Sequence, residues 1–295
     1  MNRLKHAVNF FKLLLSAPGK KRIHFCKFIK LQLLFLMHDL GLKKPTALKW
    51  ISPLQLNLVR GDHGLTGNYY LGLLEYYDMG FLIHLLRPND YFIDIGANQG
   101  SYSLLGSGLC GANTVAFEPV STTYQKLLEN ISINQLNHRI ETKKVVLTSE
   151  KIANDSPKIL FSTDQDSCNS VVDESYSGTK EMIECSTLDH QIEGINPFLI
   201  KIDVEGFEED VLAGAKNTLR ADSLVAVIIE GQNETFNKLF RDHGFSDFAY
   251  SPTERSLTLK KKWTPNLIWI RDSKLEMVKK RLMTAKKRLI NGSMI

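Results

Sequence analysis

The stretch Tyr91-Phe-Ile-Asp-Ile-Gly-Ala-Asn-Gln-Gly100 decides the fold of this 295-residue chain. A short, mostly apolar run enters a turn with two glycines, and residues 101–108 after it have the apolar spacing of a helix. A strand, a tight glycine turn and a helix, in this order, begin the nucleotide-binding units of doubly wound sheets. Glycine permits the turn because it adopts positive φ angles at little cost.

Strand and helix signals alternate on both sides of this stretch. The predicted strands that should form a parallel sheet cover residues 91–95, 114–117, 140–147, 198–202 and 224–229. The predicted helices cover residues 70–87, 101–108, 122–134, 208–219 and 233–243. Two strand signals at the end, 248–259 and 267–270, have no helix between them and predict a hairpin with one antiparallel strand. The predicted fold class is therefore α/β, with a doubly wound, Rossmann-like, mostly parallel sheet.

The glycine turn from Asp94 to Gly100 reads D-x-G-x-x-x-G, whereas dinucleotide-binding sheets have G-x-G-x-x-G. An acid stands near the place of a pyrophosphate, and Asn98 replaces a permissive glycine. Both changes disfavour a phosphate bridge, which needs backbone N–H groups and positive potential. They suit a ligand with positive charge and no phosphate. S-adenosylmethionine, which carries an ammonium and a sulfonium group, fits this description.

A second acidic residue follows the next predicted strand, in Phe117-Glu118-Pro119. Glu118 lies 18 residues after Gly100, about the interval at which an acid meets ribose hydroxyls in such sheets. A carboxylate accepts two hydrogen bonds from a diol, and Pro119 would end the strand. We therefore expect Glu118 to bind the ribose of the cofactor.

The segment Lys201-Ile-Asp-Val-Glu-Gly206 ends the fourth predicted strand. The order of a doubly wound sheet reverses between its first and fourth strands, so Asp203 and Glu205 should face the ligand crevice opposite Asp94. A hydroxyl acceptor needs a base, for which Asp203 is the first candidate and Glu205 the second. Lys201 alternates with Asp203 along the strand and would share its face. The two acids are also compatible with a role at the start of the next helix, or with a bound cation.

Several motifs occur in the order found in FkbM-type methyltransferases, which the chain resembles over roughly residues 70–235. The motifs that carry the resemblance are Asp94–Ser103, Phe117–Pro119, Thr187–Asp189, Lys201–Glu208, Val211–Ala215 and Ile229–Glu230. The resemblance implies a class I methyltransferase fold with S-adenosylmethionine as cofactor. It also implies O-methylation of a hydroxyl on a sugar or on a glycan-bearing or polyketide product. Some relatives have a histidine shortly after the acid at Glu230, but here Gly231-Gln232 follows, so the resemblance does not extend to that histidine.

These arguments give a set of candidate site residues. The candidates for cofactor binding are Asp94, Gly96, Ala97, Asn98, Gly100, Tyr102, Glu118 and Pro119. The candidates for catalysis are Asp203, Glu205 and Lys201. We predict no metal site, because no His/Cys/Asp cluster has ligand spacing. His190, a single histidine, is more often structural than catalytic, and Glu230 is as compatible with a solvated acid as with the site.

Charge is divided unevenly along the chain, whose net charge is +5. Residues 1–50 carry eleven Lys/Arg and one acid, residues 273–295 carry seven and one, and the middle has 19 basic and 30 acidic residues. A nucleic-acid-binding domain would carry its positive charge on the body, so we expect a small-molecule or glycan substrate and no nucleic acid. A nucleic-acid methyltransferase, a nicotinamide-dependent dehydrogenase and a non-catalytic S-adenosylmethionine-binding protein are the alternatives.

We expect three zones: a basic, partly helical N-terminal extension (1–65), a methyltransferase domain (66–272) and a basic amphipathic C-terminal helix (273–295). The C-terminal helix would present an apolar stripe, Leu275, Val278, Leu282, Ala285 and Leu289. This stripe could lie on an anionic membrane or pack on the acidic body of the protein. No apolar run is long enough to span a membrane, Asn9 and Lys12 disfavour a signal peptide, and four scattered cysteines fit a reducing compartment. A cytoplasmic protein, with peripheral contact at the inner face of the membrane, is the expectation. The sequence does not indicate an oligomeric state.

Overall fold

A computed structural model describes residues 15–41, 47–60, 63–163, 171–231, 233–259 and 266–295. The helices of these residues are α1 (Lys21–Asp39), α2 (His63–Leu71), α3 (Tyr76–Leu85), α4 (Ser101–Leu104), α5 (Ser121–Ile133), α6 (Glu150–Asp155), α7 (Leu188–Gln191), α8 (Glu208–Ala213), α9 (Lys216–Arg220), α10 (Glu234–Asp242) and α11 (Leu275–Thr284). A π-helical turn, Leu105–Leu109, continues α4.

The strands follow the alternation expected from the sequence. They are β1 (Leu48–Lys49), β2 (Gln55–Leu56), β3 (Tyr91–Ile95), β4 (Asn113–Phe117), β5 (Ile140–Lys143), β6 (Val146–Leu147), β7 (Lys158–Ser162), β8 (Lys180–Ser186), β9 (Pro197–Ile202), β10 (Ala226–Glu230), β11 (Phe245–Ser251), β12 (Ser256–Leu259), β13 (Asn266–Arg271), β14 (Leu289–Ile290) and β15 (Ser293–Met294).

Eight strands form the central sheet, in the order β12-β11-β13-β10-β9-β3-β4-β5. Strands β5, β4, β3, β9 and β10 are parallel neighbours, and apolar clusters cover both faces of the sheet. The chain moves outward from β3 to β5 and then returns to the other side of β3 with β9. The expected α/β doubly wound sheet is therefore confirmed, with its reversal of order between β3 and β9. The ligand crevice of such a sheet opens at this reversal.

The antiparallel end of the sheet is confirmed, but its strand pairing differs from the expectation. Residues 248–259 are not one strand, because β11 and β12 pair as a hairpin around a turn at residues 252–255. The last strand of the central sheet along the chain, β13, lies between β10 and β11 and is antiparallel to both. It is buried along most of its length, and Trp269 in its centre is fully buried. Burial on both faces explains why this apolar strand takes an inner position.

Two predicted helices are broken by glycines that pack tightly. The predicted helix 70–87 is divided between α2 and α3 at Gly72, which has a φ of 86°. The predicted helix 208–219 is divided between α8 and α9 at Gly214, where a Cβ atom would lie 2.1 Å from the carbonyl oxygen of Thr148. In both places the contact with a distant segment interrupts a pattern that is helical in sequence.

The polar segment that follows β5 forms a small sheet of its own. Strands β6, β8 and β7 pair in this order, and a minor cluster that includes Val120, Ile159 and Ile183 packs beneath them. The strand signal at 158–161 corresponds to β7. Cys168, in the centre of the segment, lies outside the described residues. The small sheet adjoins the crevice, since Phe161 at its edge lines the cavity described below.

The C-terminal extension is helical over only part of the expected length. Helix α11 ends at Thr284 because Ala285 is extended, and the following residues form the β14–β15 hairpin. Val278, Leu282 and Ala285 of the expected stripe are buried against the body, whereas Leu289 is 66% exposed. The side chain of Arg288, just before the hairpin, donates to the carbonyl of Leu109. The expectation of a helix over residues 273–295 is therefore wrong beyond Thr284, and most of the stripe belongs to the core.

Candidate active site

A cavity of about 270 Å³ opens at the carboxyl ends of β3, β4, β9 and β10. The glycine turn, Glu118 and the segment after β9 form its walls. This is the place where a doubly wound sheet binds ligands, since the loops diverge at the reversal of strand order.

The turn after β3 is held against β4 by its own backbone. The N–H groups of Gly96 and Ala97 both donate to the carbonyl of Phe117, at 3.0 and 2.9 Å. Gly96 has a φ of 76°, and a Cβ atom there would lie 1.7 Å from the carbonyl oxygen of Asp203. Asn98 has a φ of 51°, in a region that asparagine tolerates better than most residues. Gly100, with a φ of 94°, starts helix α4.

Glu118 is 6% exposed and reaches the cavity from the end of β4. Its carboxylate accepts hydrogen bonds from the backbone N–H groups of Asn98 and Val120, both at 3.0 Å. Burial raises the pKa of Glu118 to about 7, although these two donors oppose the shift. Each carboxylate oxygen has further acceptor capacity, and such a buried group is stabilised by additional donors. The two hydroxyl groups of a ribose diol supply two such donors.

Asp94 does not line the cavity but lies behind the glycine turn, fully buried. Its Oδ2 accepts from the hydroxyl of Ser103 on helix α4 at 2.5 Å, and Oδ1 has no hydrogen-bond partner among the described residues. Burial raises the pKa of Asp94, and the nearby Lys201 ammonium opposes the rise. Through its hydrogen bond with Ser103, Asp94 connects the start of the turn to the helix that follows it. Ala97, Tyr102 and Pro119 do line the cavity.

Lys201 and Asp203 form an ion pair at the end of β9. The Lys201 Nζ atom is 2.7 Å from Asp203 Oδ2 and 4.7 Å from the centre of the Tyr102 ring, and Lys201 is only 4% exposed. Burial alone would lower the pKa of Lys201, but the carboxylates of Asp203, Glu75 and Asp94 more than offset this and raise it. The expected sharing of one face by Lys201 and Asp203 is thus seen directly.

Three carboxylates meet at the mouth of the cavity. Oxygen atoms of Asp203, Glu205 and Glu230 all lie within 4.8 Å of one another. A hydrogen bond with Asp203 and burial raise the pKa of Glu230 to about 8. Burial opposes the lowering of the Asp203 pKa, but the Lys201 ammonium and the hydrogen bond with Glu230 lower it. Their mutual hydrogen bond therefore favours the protonated form of Glu230 and the ionised form of Asp203.

The sequence argument missed one wall of the cavity. Leu65 and Asn68 of α2, together with Glu75 and Met79 around the start of α3, also line the cavity. Glu75 accepts from the amide of Asn266 at 2.9 Å, which ties this wall to β13. Helical spacing was the only signal in this region, and spacing does not indicate which side of a helix meets the cavity.

The Thr187-Leu-Asp189 motif lies away from the cavity and has a structural role. Thr187 caps α7, since its Oγ1 accepts from the N–H of His190. The carboxylate of Asp189 accepts from the N–H groups of Asn217 and Thr218, both at 2.8 Å. His190 is exposed and does not line the cavity.

The chemistry of this site fits S-adenosylmethionine. A buried carboxylate with spare acceptor capacity, a glycine turn whose Cβ positions are blocked, and a cluster of acids suit a ligand with a diol and positive charge. The doubly wound sheet, with an antiparallel strand β13 near one end, is that of the class I S-adenosylmethionine-dependent methyltransferases.

The particular family follows from sequence similarity. Residues 94–248, slightly more than half of the chain, match the model of the methyltransferase FkbM domain, and the chain belongs to this family. Its cofactor is S-adenosylmethionine. No helix in the described ranges is both long enough and apolar enough to cross a membrane.

One curated relative is the hexuronic acid methyltransferase AglP of Haloferax volcanii, which is 29% identical over 150 residues. The match covers 50% of this chain and 59% of the relative's length. Among solved structures, TrmK of M. capricolum in complex with S-adenosyl-homocysteine has a TM-score of 0.40 and 11% identity, with 66% of this chain and 68% of that chain covered. Precorrin-6y C5,15-methyltransferase from Geobacter metallireducens has a TM-score of 0.41 and 13% identity, with 73% and 92% covered. This structural similarity says nothing about the acceptor.

Proposed function

We propose that this protein is an O-methyltransferase that acts on a sugar hydroxyl of a glycan or a lipid-linked glycan. The observation that carries the proposal is the carboxylate of Asp203 at the cavity wall, whose Oδ2 lies 2.7 Å from the buried Lys201 ammonium. A hydroxyl is a weak nucleophile, and a base at hydrogen-bond distance raises its reactivity by accepting its proton during attack.

Each residue has a distinct role in this proposal. S-adenosylmethionine, when bound, supplies an electrophilic methyl group. Glu118 and the turn from Gly96 to Gly100 bind and orient the cofactor, as the sequence argument expects. Asp203 accepts the acceptor's proton, Lys201 keeps Asp203 ionised, and Glu230 fixes the orientation of the Asp203 carboxylate. Glu205, which is exposed at the rim, binds the acceptor or acts as the second candidate base.

A sugar hydroxyl is favoured over other acceptors for three reasons. Methylation of a base carbon would call for a nucleophilic cysteine, and Cys26, Cys110 and Cys185, the cysteines in the described ranges, do not line the cavity. The similarity to a hexuronic acid methyltransferase supports a sugar as the acceptor. The acidic body of the chain argues against nucleic acid. A lipid-linked acceptor would also require the enzyme to work at a membrane surface.

The proposal is tested with S-adenosylmethionine labelled in its methyl group. The purified protein is incubated with lipid-linked glycans, free polysaccharides and RNA, and labelled products are analysed for methyl ethers. We expect methyl ethers on the sugar fraction, and a loss of about a hundredfold or more in rate for Asp203→Asn with cofactor affinity retained. Asp222→Asn, at an exposed position, is the matched control.

Other products would contradict the proposal. Label transferred to RNA alone would assign the protein to the nucleic-acid methyltransferases. Cofactor binding with no transfer to any acceptor would favour the non-catalytic alternative. If Glu205→Gln is inactive while Asp203→Asn is normal, the roles of the two acids are exchanged.

A further inference from the structure

Helix α1 presents an apolar face to solvent. Six large apolar side chains on this face are between 39% and 62% exposed: Phe25, Ile29, Leu33, Leu36, Met37 and Leu40. Their spacing keeps them on one side of the helix along almost its whole length. A patch of this size on one helix is uncommon in proteins that contact only water. We call these six residues the α1 face.

The α1 face is exposed although the helix is firmly attached to the protein by its other side. His24 and Leu31 are buried, and the ammonium of Lys27 lies 5.2 Å from the centre of the Tyr69 ring on α2. The amide of Gln32 donates to the hydroxyl of Tyr70 at 3.3 Å. The helix therefore has a docked side and a free apolar side, and the free side is available to a partner.

Positive charge surrounds the α1 face. Lys21, Arg22 and Lys30 are exposed on the same helix, and Asp39 is its only acidic residue. Asp39 forms an ion pair with Arg60. The excess of basic residues in the first 50 positions contrasts with the acidic middle of the chain. An anionic partner would be attracted to this end of the molecule and repelled by the rest.

The C-terminal hairpin lies beside the start of α1. The backbone N–H of Lys20, just before α1, donates to the carbonyl of Asn291 at 2.9 Å, so the hairpin adjoins the start of the helix. Leu289 and Met294 of the hairpin are 66% and 52% exposed. Lys286 and Lys287, just before it, are also exposed. Apolar and basic side chains thus occur together on both adjoining segments.

We propose that the α1 face and the hairpin beside it dock on an anionic membrane surface. The apolar side chains would enter the boundary between head groups and acyl chains, and the lysines and arginine would contact lipid phosphates. A second copy of the chain fits less well. In a two-fold symmetric pair the same basic residues would face each other across the apolar contact. Apart from Leu289, this surface differs from the C-terminal stripe that the sequence suggested, because most of that stripe is buried.

The position of α1 connects this surface with the cavity. Tyr69 and Tyr70 of α2 contact α1, whereas Leu65 and Asn68 of the same helix line the cavity. Only one helix therefore separates the docking surface from the site. If the proposed function is correct, docking brings the cavity close to acceptors held in the membrane. The docking itself does not depend on the identity of the acceptor.

Vesicle co-sedimentation of the full chain tests the proposal. The vesicles are phosphatidylcholine with or without phosphatidylglycerol. The variant Ile29→Ser/Leu33→Ser/Leu36→Ser removes half of the α1 face. Its matched control is Tyr77→Ser/Met182→Ser/Leu259→Ser, at positions that are 57%, 55% and 66% exposed elsewhere on the protein. A third variant, Arg22→Gln/Lys30→Gln, removes charge alone.

We expect the wild type and the matched control to pellet with the phosphatidylglycerol vesicles and to be released by salt. The α1-face variant should partition at least about tenfold less. The charge variant should lose about tenfold on anionic vesicles and little on neutral ones. Calorimetry with S-adenosyl-homocysteine, in which all variants should bind like the wild type, shows that the fold and the cofactor site are intact.

Three outcomes would overturn the proposal: no pelleting of the wild type, equal pelleting on both kinds of vesicle, or an α1-face variant that pellets like the wild type.

Light scattering without lipid tests the alternative that the α1 face binds a second copy of the chain. If the wild type is a dimer that does not bind vesicles, and the α1-face variant is a monomer, the face is an interface between copies. Failure of methyl transfer with normal vesicle binding would reject the proposed function and leave the docking surface intact.

Discussion

Glu118 is a buried carboxylate whose ionisation controls the cofactor site in our interpretation. Burial raises its pKa to about 7, so the group is divided between its two protonation states near neutral pH. Hydroxyl donors of a ribose favour the ionised state, which is the better acceptor. A ligand that uses these donors must therefore bind more tightly as the pH rises through this pKa.

We expect the affinity for S-adenosyl-homocysteine to increase by up to about tenfold from pH 6 to pH 8. Glu118→Gln should weaken binding by about 1–3 kcal/mol at the upper pH and remove most of this pH dependence. Titration calorimetry at several pH values measures both effects. Glu193→Gln, at an exposed position, should behave like the wild type. An unchanged affinity in Glu118→Gln would exclude Glu118 from the ribose site.

The pair Lys201–Asp203 allows a second prediction for a single residue. Removal of the ammonium in Lys201→Met would raise the pKa of Asp203, because the positive charge 2.7 Å away no longer stabilises the carboxylate. The acidic limb of the kcat–pH profile should then move to higher pH by at least about one unit. Thermal unfolding checks that the variant is folded. A limb that does not move in a folded variant would show that Asp203 is not the base.

The glycine turn illustrates how an element depends on a distant neighbour. Gly96 and Gly194 have similar φ angles, 76° and 80°, but only Gly96 is in close contact with another segment. A Cβ atom at Gly96 would lie 1.7 Å from the Asp203 carbonyl oxygen, whereas a Cβ atom at Gly194 would meet nothing within 4 Å. Alanine substitutions at these two glycines therefore separate the free-energy cost of a left-handed backbone from that of a steric clash.

Gly194→Ala should therefore lower the free energy of unfolding by only about 1 kcal/mol, the cost of the left-handed conformation. Gly96→Ala should cost at least about 3 kcal/mol and abolish binding of S-adenosyl-homocysteine, because the turn and the end of β9 must separate. Urea denaturation and calorimetry provide the two measurements. Equal costs at the two positions would contradict the close approach seen at Gly96.

At the scale of the whole molecule, the C-terminal extension is part of the fold. Leu282 is fully buried, and the next residue, Met283, is 63% exposed. Leu282→Ala should lower the free energy of unfolding by about 2–5 kcal/mol, since it leaves a cavity in the core. Met283→Ala is the control, and its effect should stay within about 0.5 kcal/mol. A small effect at Leu282 would mean that α11 is not packed as described.

The sequence determined the parts of this protein that depend on local pattern. The strand from Tyr91 to Ile95, the glycine turn and the acid at Glu118 were all predicted correctly in position. A short apolar run and a glycine at a required positive φ are properties of neighbouring residues. These properties also indicated the class of the cofactor, since the turn and the acid line the cavity and are the residues that we propose to hold it.

Only the tertiary structure decided which faces of the helices, strands and loops contact one another. It placed Asp94 behind the turn, paired Glu230 with Asp203, and brought the wall from Leu65 to Met79 to the cavity. It also buried most of the C-terminal stripe and exposed the α1 face, although both helices contain many apolar residues. The sequence supplies each helix with apolar side chains, but whether they are covered depends on the space left by all other elements. That space exists only in the folded molecule.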